Sequence, residues 1–199
     1  MRTEILNKAM WCIDEVYPDQ DTSNAPHFPI EEFLDQAAGM ILRIAPLHAL
    51  GEGESIKDTS VATSSEDGTG RIELPAFFCR LISFCMKGWL RPVTQPIRES
   101  DSLFKRQFNP LTRGGTAKPV VVLRYGDTVL DYYSLPDGAA HEIEELKVLT
   151  FEKVDDTFPP KLADATAWQV AGLVLSTMND LRGAEVAQNR VTQLLASMI

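Results

Sequence analysis

Cysteine and histidine are scarce in this chain, and where they stand excludes most of the chemistry they could carry. The three cysteines, Cys12, Cys79 and Cys85, are an odd number without the spacing of a metal or redox motif. They fit reduced thiols in a protein that folds in a cytoplasm. Cys79 and Cys85 lie in an apolar segment, where a small buried thiol is the default, and neither has a base nearby in sequence that would make it a nucleophile. The three histidines, His27, His48 and His141, are isolated. Only His141 has acids close by, Glu144 and Glu145, and an exposed acidic turn looks the same. No glycine-rich turn leads into Gly-Lys-Ser/Thr, so no loop is expected to cradle phosphate. Asp155-Asp156 precede Pro159-Pro160 and read as a solvated loop. No apolar run is long enough to cross a bilayer, and the opening MRTEILNKAM is amphipathic and carries acid, unlike a secretory signal. The expectation is a chain without catalytic, cofactor-binding or metal-binding residues, not an enzyme, with no cofactor and no membrane contact.

What is present is charge, unevenly placed. The net charge of -9 argues against a nucleic-acid footprint over the whole chain. Residues 1–50 hold three basic and eight acidic residues, and 51–70 hold one and five. Residues 80–124 reverse the sign, with nine basic residues against Glu99 and Asp101, and 125–164 swing back with three against ten. An acidic body with a basic middle suits a self-assembling ring or a charge-matched docking surface. Solvated faces of mixed sign give the same tally, and sequence leaves both readings open.

Periodicity supplies the elements. Residues 3–16 read as a helix with Ile5, Leu6, Ala9, Met10, Ile13 and Val16 on one stripe, stopped by Pro18 and followed by a polar linker. Pro29, with Glu31 and Glu32 in the first turn, opens a second helix whose core face runs from Ile30 through Phe33, Leu34, Ala37, Ala38 and Ile41 to Leu42. GEGESIKDTSVATSSEDGTG at 51–70 is an exposed loop or flap. Arg71 to Leu74 is a short strand, and the apolar run Phe77 to Trp89 is read as a strand because Ile82, Phe84 and Met86 alternate with Ser83, Cys85 and Lys87. Val120–Tyr133 is a β-hairpin with Gly126-Asp127 in its turn, and Leu146 to Val154 a further strand. Lys161 to Ile199 reads as two helices folded back on each other. The first is marked by Leu162, Ala165, Trp168, Ala171, Val174, Met178 and Leu181, with the break at Arg182-Gly183; Ala184 to Met198 form the second. Between Ala167 and Leu175 the apolar residues cover most of the circumference, so burial on more than one side is expected, with Trp168 in the core.

Helices at both ends and strands between them predict an α+β fold: a helical bundle from the N- and C-terminal helices, packed with a small mostly antiparallel β-sheet and an extended loop or arm. At 199 residues one domain is expected, with a helix and linker at 1–28, the bundle at 29–50 and 159–199, the β-region at 71–97 and 119–154, and a basic arm at 98–118. That arm is an extended segment or long loop with one helical turn around 102–107. Its interleaved basic and aromatic residues can mark single-stranded nucleic-acid binding; the expectation adopted is that Phe104 and Phe108 anchor the loop to its own or a neighbouring subunit.

The helix at 29–44 with its polar loop, the strand-turn IELPAFFCRLISF with GWLRPV, the hairpin VVVLRYGDTVLDYYS and the run FPPKLADATAWQVAGLVLSTM with its companion helix occur in an order that resembles the head-to-tail connector, or adaptor ring, proteins of tailed bacteriophages. The tail-tubular type and the neck rings of crAss-like gut phages are the nearest in kind. The resemblance implies a structural virion protein in the neck: a homo-oligomeric ring, commonly dodecameric, joining portal to tail, with genomic DNA passing through without sequence-specific binding. It also implies assembly in the host bacterial cytoplasm. Lys105, Arg106, Phe108, Arg113 and Lys118 are then expected at interfaces with neighbouring copies or neck proteins. The alternative is a cytoplasmic binding or regulatory protein whose basic arm contacts nucleic acid or an acidic partner.

Overall fold

The computed structural model describes residues 1–16, 30–51, 53–56 and 61–198; the linker expected at 17–28 lies outside them, as do residues 57–60 of the acidic loop. The chain divides into two compact units, Met1–Gly51 with Phe151–Ile199, and Glu52–Thr150. The fold is α+β, as expected.

The first unit holds α1 (Arg2–Val16), α2 (Ile30–Ile44), α3 (Ala163–Thr177) and α4 (Leu181–Ala196). Helix α3 is its centre and packs against the other three. Its broad apolar surface explains this, since Ala163, Ala165, Ala167, Val170, Ala171, Val174 and Leu175 are all buried. Many of these side chains are small, so neighbouring helices come close: a Cβ on Gly172 would lie 3.4 Å from that of Ala187 in α4. The buried Thr166 hydroxyl donates to Leu162 O at 2.8 Å, so it enters the contact satisfied. Trp168 departs from expectation. It is only half-buried, with the Arg190 guanidinium 6.0 Å from its ring centre. Alanine and glycine set the spacing around α3, and an indole fits only at the margin of such contacts. In α1, Cys12 joins Ile5, Ala9 and Ile13 in the core, and Met10 turns outward.

The break between α3 and α4 also falls earlier than expected. Asn179 takes a left-handed backbone (φ 60°), ending α3, and the Asp180 carboxylate accepts from Gly183 N–H at 3.1 Å to cap α4. Gly183 is therefore inside the first turn of α4 and not the breaker. A Cβ there would run into the Asp180 carboxylate and come within 3.2 Å of Val16 at the end of α1. The sequence period misled because Met178 and Leu181, apolar and in phase with the core stripe, are both exposed at this turn.

The second unit carries β1 (Glu54–Ser55), β2 (Thr63–Ser64), β3 (Gly70–Glu73), β4 (Phe78–Met86), β5 (Ile97–Arg98), β6 (Val121–Arg124), β7 (Val129–Tyr132) and β8 (Ile143–Thr150). They form two sheets where one was expected, in the orders β1-β8-β4 and β2-β3-β7-β6-β5, antiparallel except for the β5–β6 pair. The two sheets share one core that includes Ile72, Leu81, Phe84, Leu130, Tyr132 and Val148. Alternation assigns the faces: Val121 and Leu123 pair with Tyr132 and Leu130 toward the core, while Val122 and Arg124 pair with Asp131 and Val129 on the outer side. Gly70 is opposite Tyr132, and a Cβ at Gly70 would strike the Tyr132 hydroxyl, which is hydrogen-bonded to His141 Nδ1. Strand β8 begins earlier than the sequence suggests, with Ile143 paired to Met86, and it ends earlier, the Val154 N–H donating to Asp35 in α2 at 2.9 Å. The β6–β7 loop is tight, with Tyr125, Gly126 and Asp127 all left-handed (φ 52°, 67° and 69°).

Candidate interaction surface

The basic segment 98–118 is a folded loop on the outer face of the five-stranded sheet. Asp101 accepts from Leu103 N–H at 2.8 Å and starts one 3₁₀ turn, Phe104–Phe108, where a helical turn was expected. The buried Gln107 ties the loop closed: its Nε2 donates to Leu103 O at 2.9 Å and its Oε1 accepts from Gly114 N–H at 3.1 Å. Phe104 and Phe108 meet edge to face at 5.0 Å between centroids, and Phe108 continues onto Tyr133 of the sheet at 6.0 Å. The aromatics thus anchor the loop to its own chain.

Beneath the loop runs a charge network on the outer face of β3, β6 and β7. Asp131, almost wholly buried, accepts from Arg71 Nε at 2.7 Å and Nη2 at 3.2 Å, and from Arg124 Nη1 at 2.9 Å. Arg124 also pairs through Nε with Glu99 at the head of the loop and lies 5.6 Å from the Phe104 ring centre. These bonds, Glu99 first and Asp131 second, hold its guanidinium protonated well above the ordinary arginine range. The two arginines stack on Tyr125, at 5.4 Å for Arg71 and 4.8 Å for Arg124. One buried carboxylate therefore links three strands and, through Arg124, fastens the loop.

The network answers where the positive charge of 80–124 goes. Arg98 pairs with Asp127 at 2.9 Å, Lys87 with Glu142 at 2.6 Å, and Arg124 with Glu99 and Asp131. Arg113, expected at an interface, is turned inward instead. Its side chain is 11% exposed and lies 2.9 Å from Asp137 and 3.8 Å from Asp67. Sequence could not separate it from its neighbours, because its partners are acids distant in the chain. Arg91, Lys105, Arg106 and Lys118 are exposed and make no salt bridge among the described residues. Around them the loop turns apolar groups to solvent: Phe108 is 62% exposed and Leu111 94%. Leu103 and Leu90 are exposed as well, the latter bonded through its N–H to Thr116 O at 3.0 Å. These leucines went unread in the sequence; their one signal is that they interrupt a polar loop.

A second surface belongs to the helical unit. Beside its core stripe, α2 has another, formed by Phe33, Met40 and Ile44 and continued by Leu47, at steps of seven, four and three. Ile44 is 57% exposed and Met40 is exposed; Phe33 and Leu47 are half-buried. Glu31 and Glu32, both exposed, stand at its head, and Arg43 is near its far end.

Among the described residues no group of three or more His, Cys, Asp or Glu side chains is placed to hold a metal ion. Cys12, Cys79 and Cys85 are buried and form no disulfide; burial, with Glu15 and Asp164 adding to it, pushes Cys12 up to about 12, and burial followed by Glu144 raises Cys85. His48 Nε2 donates to Met198 O at 2.6 Å, closing the end of α4. No described helix is long and apolar enough to cross a membrane. No protein-family model matches the chain, and no curated protein matches its sequence.

Proposed function

We propose that this chain is a structural subunit of a head-to-tail connector ring in a tailed bacteriophage, repeated around an axis between portal and tail. The observation that carries the reading is the construction of one helical unit from both chain ends, with a β-unit inserted between them. That is the arrangement the resemblance implies for a ring subunit. The inserted unit presents a rigid loop whose cations and apolar side chains face solvent, and the helical unit carries a net charge of -7 by sequence. Opposite charges on different parts of one chain favour head-to-tail contacts, and such contacts close into rings when the rotation allows. A wall rich in acid does not hold DNA, because repulsion from phosphates leaves the duplex free to slide.

The test is a mass measurement, by light scattering or native mass spectrometry, of the purified chain alone and with a phage portal or adjoining neck protein. Closed multi-copy assemblies are expected. A monomer under both conditions overturns the reading, and if that monomer binds DNA in a salt-sensitive way the basic loop belongs to a nucleic-acid-binding protein.

A further inference from the structure

We propose that the loop Leu103–Lys118 of one copy docks on the outward stripe of α2 of a second copy, an inference that rests on the ring reading and names its contact. The occupant follows from what each surface lacks. On the loop, Lys105, Arg106 and Lys118 are exposed and have no acidic partner among the described residues, and in the chain they flank the exposed Phe108 and Leu111. On α2, Glu31 and Glu32 are exposed at the head of an apolar stripe whose Met40 and Ile44 are exposed among the described residues. Each surface has the composition of a half-interface, exposed apolar side chains together with charge, and the cations of the loop are opposite in sign to the acidic head of α2. A contact between two copies of the loop would bring like charges together, as would one between two acidic heads of α2 laid side by side. The cross-pairing gives the loop's cations the acids they lack.

Rigidity supports the same conclusion. Gln107, the Phe104–Phe108–Tyr133 stack and the Glu99–Arg124 pair fix the loop before any partner arrives. A preorganised loop loses little freedom on docking, so exposed side chains such as Leu111 can contribute affinity directly. The contact joins different surfaces of identical chains, so it propagates from copy to copy as a ring or filament requires.

The experiment is a charge swap read by mass. The pair Lys105→Glu, Arg106→Glu is expected to weaken self-association at least tenfold, and so is the pair Glu31→Lys, Glu32→Lys. The chain carrying all four changes is expected to recover assembly. All four side chains are exposed, and circular dichroism with a thermal melt checks that each variant folds. Leu111→Ser and Ile44→Ser, which leave the charges alone, should each weaken assembly as well. If the wild-type chain assembles but the four-site chain is no better than either pair, or Leu111→Ser has no effect, this contact is wrong and the ring reading survives. A wild-type chain that stays monomeric with and without portal protein removes both.

Discussion

Replacing Asp131 by asparagine should destabilise the β-unit markedly, although it exchanges a single oxygen for an amide nitrogen. The carboxylate accepts three hydrogen bonds from two guanidinium groups, and its side chain is 7% exposed. Asparagine keeps the volume but offers one acceptor, and its amide turns donors toward arginine donors. Hydrogen bonds to charged groups contribute about 1.5–3 kcal/mol each, and breaking one side of a buried ion pair typically costs about 3–5 kcal/mol. The upper values do not apply in full, because Arg71 and Arg124 are 34% and 22% exposed, and Arg124 retains Glu99. A loss of about 2–4 kcal/mol is expected.

Urea unfolding is the direct assay. With an m-value of about 2 kcal/mol/M, the midpoint of the β-unit transition should fall by about 1–2 M. The same substitution should loosen the loop, since Arg124 connects Asp131 to Glu99 and Phe104. Hydrogen exchange across residues 99–116 should therefore accelerate, with little change in α3, whose bonds belong to the other unit. Arg71→Met added to Asp131→Asn should cost less than the two separately, because each removes what the other needs. A midpoint shift under about 0.3 M, or strict additivity, would refute the view that one buried carboxylate fastens this face.

Other changes read other parts of the argument. Gly183→Ala should destabilise by about 1 kcal/mol, the worth of the N-cap it displaces, although helix propensity alone predicts a gain of similar size; a thermal melt gives the sign. Charge reversal at Arg113 should cost about 1–3 kcal/mol of stability by leaving an acid beside Asp137 and Asp67, whereas reversal at Lys105, Arg106 or Lys118 should stay within about 0.5 kcal/mol. Burial raises Tyr132 to about 12. Its folded value lies above its unfolded one, so its contribution is intact below pH 10 and is lost between pH 10 and 12, at up to about 1.4 kcal/mol per pH unit. Chemical denaturation across that range measures the slope, and Tyr132→Phe should flatten it. Cys12, held protonated by burial, should resist alkylation at pH 8 until the chain is unfolded, as mass spectrometry of the labelled protein would record.

The elements that sequence reveals are those whose cause is local. The core stripe of α2 and the tight turn between β6 and β7 depend on neighbours within a few residues, and both were legible. The strand β4 was legible too, but not its alternation: register shifts between Leu81 and Ser83 and between Cys85 and Met86 bury Ser83 and Cys85 beside Phe84 and Met86, while Ile82 is only half-buried. The α3–α4 break was misplaced because its determinants compete: Gly183 looks like a terminator, yet Asn179 ends one helix and Asp180 starts the next. Trp168 was misjudged because hydrophobicity says that a side chain gains by burial, not that alanine-spaced helices have room for it.

The basic segment shows the same limit where it matters for function. A count of charges finds nine cations between residues 80 and 124 and treats them alike. Folding sorts them by what is opposite: Asp127, Glu142, Asp137, Asp131 and Glu99 neutralise Arg98, Lys87, Arg113 and Arg124 within the chain. Partners so far apart in sequence are invisible to composition, and so is the difference between a cation that builds the loop and one the loop displays. Arg113 and Arg124 hold the loop in place; Lys105, Arg106 and Lys118 are exposed and make no salt bridge among the described residues. The proposed docking draws on this sorting: a loop that displays cations and apolar side chains and is fixed from beneath has met its cost of ordering during folding, so little of it is left to be met on binding.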